Sequence, residues 1–586
     1  MKKSRSFIDI LLITIASSAS PILGNAAPTV HHTTEICVYG GTSSGLVAAI
    51  AIAKTGHKVL VIEPSRWLGG MTGGGIRVRR DCAYPHAIGG LTQQMIVEDI
   101  NLGVDDPHSG QRQLRDVWLR LVKEHRIEVL YEHRLKSVYK NGTRILQIQL
   151  EKAPPQKDGC PIGQASSDEY INLSAQVFID ASYEGDLMAY SGVRYTVGRE
   201  SVRQYGECLA GVRPIEKRYT LEADPFVKRG DPTSGLLPLI SPEPVGNVGD
   251  ASKYMLAYNF RLNGKGAPIQ EPEPFEPERY ELLNRMKFKK IGWPSDNFDR
   301  ATLVSGGLLG PHADYPEADY ATRARIWRDS IEHVKYLSKL TGKPTLLNTE
   351  DYPDTDGFPH QLYIRMGRRM ISTYVMTQSD VQCLTHVDDS VGLAFYSVDI
   401  YPCRLVALAD GKHIATEGEV FAHISPTPYR IPYRSIVPKR EECENLIVPV
   451  CMSASHVAMA SIRMEPTYMV MGESAGIAAV KAIEQHSAVQ SIDAKDYRKA
   501  LLAAGQILDK EPTPLRPPKV LFPDQESVSF EEWSKIASHA WEWVFDFIDQ
   551  NKDGKLNKGE YETFLDFTKS NPQWHAVALP AALPNK

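Results

Sequence analysis

A glycine-rich turn between a short apolar strand and an alanine-rich helix constrains this chain more than any other feature. Glu35-Ile36-Cys37-Val38-Tyr39 reads as a buried strand, Gly40-Gly41-Thr42-Ser43-Ser44-Gly45 as the turn, and Leu46 to about Thr55 as the helix. A second strand, Lys58-Val59-Leu60-Val61-Ile62, ends at Glu63, about 20 residues past the first glycine. Strand, turn, helix, strand and closing acid in register make a βαβ unit and predict an α/β fold. Gly40 permits the tight turn, and Gly45 lets helix and strand pack closely; Thr42 stands where a second glycine usually lies. The unpaired N–H groups and positive dipole end of the helix suit a pyrophosphate, so Gly40, Gly41, Thr42, Ser44 and Gly45 are candidate cofactor-binding residues. Glu63 is placed to accept hydrogen bonds from an adenosine ribose.

A second glycine-rich loop follows at once, Pro64-Ser65-Arg66-Trp67-Leu68-Gly69-Gly70-Met71-Thr72-Gly73-Gly74-Gly75. Nicotinamide dehydrogenases usually proceed there to another helix. Here the sequence resembles the FAD-binding fold shared by glutathione-reductase-like and succinate-dehydrogenase-like flavoproteins, whose loop wraps the flavin phosphates and ribitol. That resemblance implies FAD contacts at Gly69, Gly70 and Met71, where bare backbone approaches a large planar group without Cβ clashes. Ala175 to Ser182 looks like the returning strand of such proteins and brings Asp180 and Ala181 near the cofactor. Asn445 to Val450 reads as a late strand, and Glu465 opens a small-residue helix running to about Ile483 that contains Gly472 and Gly476. In the FAD fold this helix aims its N-terminus at the pyrimidine edge of the flavin and stabilises its reduced form.

Across residues 34 to 508 the chain resembles the secreted bacterial FAD-dependent oxidoreductases, some of which carry the name xanthan lyase. The matching stretches are Gly40 to Gly45, Phe178 to Met188, Tyr195 to Glu200, Pro359 to Arg365, Pro428 to Arg434, Ser453 to His456 and Arg463 to Pro466. The resemblance implies FAD, a cofactor domain in two parts and an inserted α+β substrate domain; it names no substrate. One stretch departs from it: Asp399-Ile400-Tyr401-Pro402-Cys403-Arg404 lies where a histidine-bearing segment is expected, so no histidine role carries over there.

Hydride removal from a carbinol carbon needs an acceptor for the hydroxyl proton, and histidine suits that task. His456, between the late strand and the flavin-facing helix, is one candidate; His360, ahead of an expected basic helix with Arg365, Arg368 and Arg369, is the other. Arg430 and Arg434, interleaved with Tyr429 and Tyr433, read as a carboxylate or sulfate clamp with aromatic faces for a sugar ring.

The ends of the chain carry separate signals. Lys2, Lys3 and Arg5, an apolar run from Phe7 to Ala16 and Gly24-Asn25-Ala26-Ala27 outline a secretory signal peptide over 1–27, which implies a secreted or periplasmic protein. The apolar run is shorter than the about 20 residues of a membrane span, and no transmembrane span is expected in the mature chain. An oxidising compartment permits disulfides among the eight cysteines, whose spacing shows no zinc signature. With 66 Lys+Arg against 71 Asp+Glu, the net charge of -5 leaves no basic excess for a nucleic-acid backbone. A proline-rich linker at 509–524 leads to an expected amphipathic helix from about Ser529 to Ile548. A full twelve-residue EF-hand loop follows from Asp549 to Glu560. Asp549, Asn551, Asp553, the carbonyl of Lys555, Asn557 and Glu560 are its candidate Ca2+ ligands. The hand reads as single.

These signals predict a signal peptide (1–27), an FAD-binding domain in two parts (34–210 and 436–508), a substrate domain (211–435), the linker, and an EF-hand segment (525–570). The function expected is a secreted FAD-dependent oxidoreductase transferring hydride from an alcohol carbon of a sugar or uronic-acid-like substrate to flavin, with the electron acceptor unspecified. A flavin-containing carbohydrate lyase or isomerase is the alternative enzyme. A calcium-dependent binding protein on a Rossmann-like scaffold is the alternative outside enzymes.

Overall fold

Four apolar runs and a late two-residue strand assemble into one parallel sheet. The computed structural model describes residues 29–76, 87–95, 110–261, 277–286, 307–341, 347–510, 526–536 and 541–574; the leader at 1–27, Cys82 and most of the linker lie outside them. Strands β1 (Ile36–Tyr39), β2 (Val59–Glu63), β3 (Glu128–Tyr131), β4 (Val177–Asp180) and β5 (Leu446–Ile447) lie in the order β5-β4-β1-β2-β3. Every neighbouring pair is parallel, with Tyr39 opposite both Ile62 and Asp180. Strands β1, β2, β4 and β5 are buried along their whole length, as a sheet covered on both faces requires. The strand order reverses between β1 and β4. In such sheets ligands bind beyond the carboxyl ends of the strands at that point.

Helix α1 (Ser43–Ala53) follows β1 and is buried almost all round. Its partner is the long helix α3 (Glu465–Glu484), preceded by the short helix α2 (His456–Ile462). The α1–α3 crossing is tight because α3 presents glycine: a Cβ on Gly472 would lie 2.2 Å from the Ser44 carbonyl oxygen, and one on Gly476 2.6 Å from that of Ala48. These two glycines, candidate cofactor contacts in the sequence, serve in the fold to let α3 pack closely on α1.

A four-stranded sheet with the order Thr29–Thr33, Tyr170–Ser174, Arg144–Lys152, His133–Asn141 packs beside the parallel sheet. Between 211 and 435 lie the helix Tyr320–Thr341 and a three-stranded sheet of Thr220–Glu222, His413–Glu417 and Arg404–Ala407. A small apolar cluster there includes Leu221, Leu283, Leu337, Leu405 and Ile414. The basic helix expected after His360 does not form. Arg365 donates to the Ala257 carbonyl, Arg368 pairs with Asp186 and Glu317, and Arg369 pairs with Glu200. Three buried guanidiniums drawn to three separate sites cannot share one helix face.

The C-terminal helix is likewise not one piece: α4 (Phe530–Ile536) and α5 (Glu542–Ile548) are separate. Strand β6 (Ser527–Ser529) precedes α4; β7 (Lys555–Asn557) and α6 (Lys558–Ser570) follow α5. Trp533, Phe545, Leu556 and Phe564 are buried in the same apolar cluster as the parallel sheet's core. The seven described cysteines are all unpaired, so the disulfides that the sequence permitted are absent among them. No described helix is long and apolar enough to cross a membrane.

Candidate functional site

A cleft opens at the carboxyl ends of β1 and β4. Its lining includes Tyr39, Gly40, Thr42, Glu63, Gly70, Ser182, Tyr183, Glu184, Arg323 and His360. Gly40 adopts φ +101°, and a Cβ there would lie 2.8 Å from the Ser182 nitrogen, so only glycine lets the first turn rest on β4. Thr42 caps α1: its hydroxyl accepts from Gly45 N–H at 3.3 Å and donates to the Ala181 carbonyl at 2.8 Å. The Ser44 hydroxyl is buried without a partner.

Glu63 ends β2 as expected. Its carboxylate accepts from Gly41 N–H at 2.8 Å and Ser65 N–H at 2.7 Å, and burial raises its pKa. The second glycine loop closes against the first through Gly69 N–H, which donates to the Gly41 carbonyl at 2.8 Å. At Gly70 a Cβ would lie 2.4 Å from the Tyr183 hydroxyl, and the neighbouring Met71 N–H donates to that hydroxyl at 3.0 Å. The donor set matches the ADP half of FAD: bare backbone at two glycine turns, a helix N-terminus, and a carboxylate at the ribose position.

Asp180 and Ala181 act behind the cleft. Both Asp180 oxygens are committed, one to Ser182 N–H and hydroxyl, the other to Met188 N–H at 2.8 Å, and burial raises its pKa to about 6. These residues shape the turn that carries Ser182, Tyr183 and Glu184 into the cleft. Burial also raises the Glu184 carboxyl to about 7, against the opposing pull of Arg323.

His360 is the candidate histidine that reaches the cleft. It stacks on Trp67 with ring centroids 4.7 Å apart, and neither ring nitrogen has a hydrogen-bond partner. Its Nε2 would be 3.1 Å from a Cβ on Gly74, so the ring lies over the second glycine loop. Burial lowers its pKa to about 3 and keeps the imidazole neutral.

His456 does not reach the cleft lining. It opens α2 fully buried, with Nδ1 2.7 Å from Glu200, and burial lowers its pKa to about 4. Arg369 holds the other oxygen of Glu200 at 2.7 Å.

The tyrosine–arginine clamp is also corrected. Arg430 pairs with Asp509 at 3.0 Å and Arg434 with Asp389 at 2.9 Å, both at the surface. Tyr429 and Tyr433 face inward, bonding Ser461 and the Val489 carbonyl, so no aromatic face is offered to a sugar.

The sequence reading missed the residue that joins the site. Tyr183 bonds Glu465 at the start of α3, and Glu465 also accepts from the Ser43 hydroxyl at the start of α1. The available signal was a glutamate at the N-terminus of a helix whose dipole favours a negative charge.

A family model described as FAD dependent oxidoreductase matches residues 35–501. The chain belongs to the FAD-dependent oxidoreductase family. The backbone turns, helix N-terminus and Glu63 of the cleft suit the ADP half of FAD. No curated protein matches it.

Solved structures match part of it. L-proline dehydrogenase from P. horikoshii is 15% identical over 30% of this chain and 25% of that one, with a TM-score of 0.17. The myxobacterial chondrochloren halogenase CndH is 17% identical over 35% and 47%, with a TM-score of 0.19. p-Nitrophenol 4-monooxygenase PnpA from Pseudomonas putida DLL-E4 is 13% identical over 29% and 46%, with a TM-score of 0.20. The chain thus spans a quarter to a half of the length of these three proteins.

In the Asp549–Glu560 loop, the side chains bond the loop's own backbone. Asp549 Oδ2 accepts from Gly554 N–H, Asn551 Oδ1 from Asp553 N–H and Asp553 Oδ1 from Lys555 N–H. Glu560 accepts from Gln550, Asn551 and Asn557 N–H groups. Among the described residues no group of three His, Cys, Asp or Glu side chains is disposed to hold a metal ion.

Proposed function

We propose that this FAD-dependent oxidoreductase removes hydride from an alcohol carbon of a small polar substrate, with His360 receiving the substrate hydroxyl. The carrying observation is the His360 ring itself: neutral, unpartnered at both nitrogens, stacked on Trp67 and lying over Gly74. FAD supplies the two-electron acceptor when bound. Gly40, Gly70 and the N-terminus of α1 would hold its phosphates, and Glu63 its ribose. The His360 imidazole accepts a hydrogen bond from the substrate hydroxyl, orients its carbon and takes the hydroxyl proton as that carbon gives up hydride, while Trp67 fixes the ring plane. A sugar or uronic-acid-like substrate belongs to this proposal as an expectation from the sequence, and export by a cleaved leader rests on the residue pattern of 1–27. Anaerobic bleaching of bound flavin by a panel of sugar alcohols and aldoses tests it. His360→Asn should slow bleaching by about 10²-fold or more, and a rate equal to wild type would remove His360 from the chemistry.

The Asp549–Glu560 loop we assign to calcium. Ligand spacing supports it, as does Asp549 Oδ1, a buried carboxylate oxygen with no partner. Calorimetric titration of the full chain with Ca2+ checks it, with Glu560→Gln as the control.

A further inference from the structure

The C-terminal module repeats half of itself. Strand β7 covers positions seven to nine of the Asp549–Glu560 loop. It pairs antiparallel with β6 in the register Ser527↔Asn557, Val528↔Leu556, Ser529↔Lys555. Val528 and Leu556 therefore face each other, both buried. Each strand is followed by the same reciprocal cap. Asn557 Oδ1 accepts from Glu560 N–H, and Glu560 returns the bond to Asn557 N–H, both at 3.0 Å. The Ser529 hydroxyl accepts from Glu532 N–H at 3.3 Å, and Glu532 accepts from Ser529 N–H at 2.8 Å. The next residues, Trp533 and Tyr561, are both buried. Two half-hands thus share one strand pair. Counting back seven, five and three residues from Val528 in the sequence gives Leu521, Pro523 and Gln525, none of which is a carboxylate.

The module is also fastened to the catalytic body. Gln573 donates to the Gly206 carbonyl, and its own carbonyl accepts from Gln378 at 3.3 Å and Gln382 at 3.0 Å. The Arg213 guanidinium lies 4.5 Å from the Trp543 ring centroid. Between those contacts Glu207 accepts from Gln378 N–H at 2.7 Å and from the Ser455 hydroxyl at 2.5 Å. Ser455 caps α2, whose first residue is His456.

We propose that a single calcium ion, taken by one loop of an EF-hand pair whose other half keeps Glu532 but lacks carboxylates seven, five and three residues before Val528, clamps Trp543 and Gln573 onto the Gly206–Arg213 segment and so steadies the Glu207–Ser455 support beneath His456. This rests on the calcium reading of the Asp549–Glu560 loop. The test uses the full-length flavin-loaded chain, titrated calorimetrically with Ca2+ and followed by amide hydrogen exchange in Ca2+ against chelator. One Ca2+ per chain is expected, unchanged in Glu532→Gln and lost in Glu560→Gln. Exchange across 206–213 should slow about tenfold with Ca2+. Trp543→Ala and Gln573→Ala should each keep the stoichiometry and lose that protection. Binding without any change at 206–213 would overturn the clamp while leaving the calcium loop standing. Two ions per chain would overturn the degenerate half-hand, and no binding would remove loop and clamp together.

Discussion

The Tyr183 hydroxyl donates to Glu465 Oε1 at 2.7 Å, joining the end of β4 to the start of α3. Glu465 also holds Ser43 at the start of α1, so one carboxylate lies at the positive ends of two helices. Tyr183→Phe leaves the Met71 N–H and one Glu465 oxygen without this partner. The variant should lose about 1–3 kcal/mol of stability and retain less flavin, read by thermal unfolding and by the 450/280 nm absorbance ratio. An unchanged ratio and melting point would show that the link carries no load.

Gly45→Ala should give a flavin-free protein. The added Cβ would lie 2.0 Å from the Gly40 carbonyl oxygen, which the turn cannot relieve without moving off β4. Absorbance after reconstitution with excess FAD checks it.

The His360 imidazole, held near pKa 3, stays neutral from pH 5 to 8. Turnover should therefore show no inflection from this histidine in that window. An inflection near 6.5 that vanishes in His360→Asn would contradict the assignment.

Burial raises the Glu207 carboxyl to about 8. Glu200 nearby adds to that rise, while Arg369 and the hydrogen bonds from Ser455 and Gln378 oppose it. Its folded-state pKa exceeds the unfolded value, so its contribution is complete below about pH 4.5 and is lost as pH rises toward 8, by about 1.4 kcal/mol per pH unit at most. Glu207→Gln should remove that decline, and melting curves from pH 5 to 8 for the two proteins measure it. His456 acts in the opposite sense, because its lowered pKa costs stability as pH falls from 6.5 toward 4.

Arg430→Ala and Arg434→Ala should change KM by less than about twofold and stability by less than about 1 kcal/mol, as expected of surface ion pairs. A tenfold rise in KM for either would restore the substrate clamp.

The cofactor half of the fold was legible in the sequence because its signals are local. The β1 turn, the acid ending β2 and the small-residue helix α3 each lie within one stretch of chain. The site beyond them was less so, because burial decides it. His360 and His456 look alike as residues, yet one lies over the glycine loop and the other is enclosed by Glu200 and Arg369. Tyr429-Arg430 and Tyr433-Arg434 read as a clamp only while the direction of each side chain is unknown. The half-hand could have been found: Val528-Ser529 followed by Glu532 repeats Leu556-Asn557 followed by Glu560.

Gly472 and Gly476 place α3 directly on α1, though the two helices are separated by some 400 residues of chain. Synthesis delivers the first nucleotide turn long before the element that completes it. A truncated or still-emerging polypeptide therefore leaves α1 and its turn without the helix that packs against them, and that turn is supported only once the far end of the chain arrives.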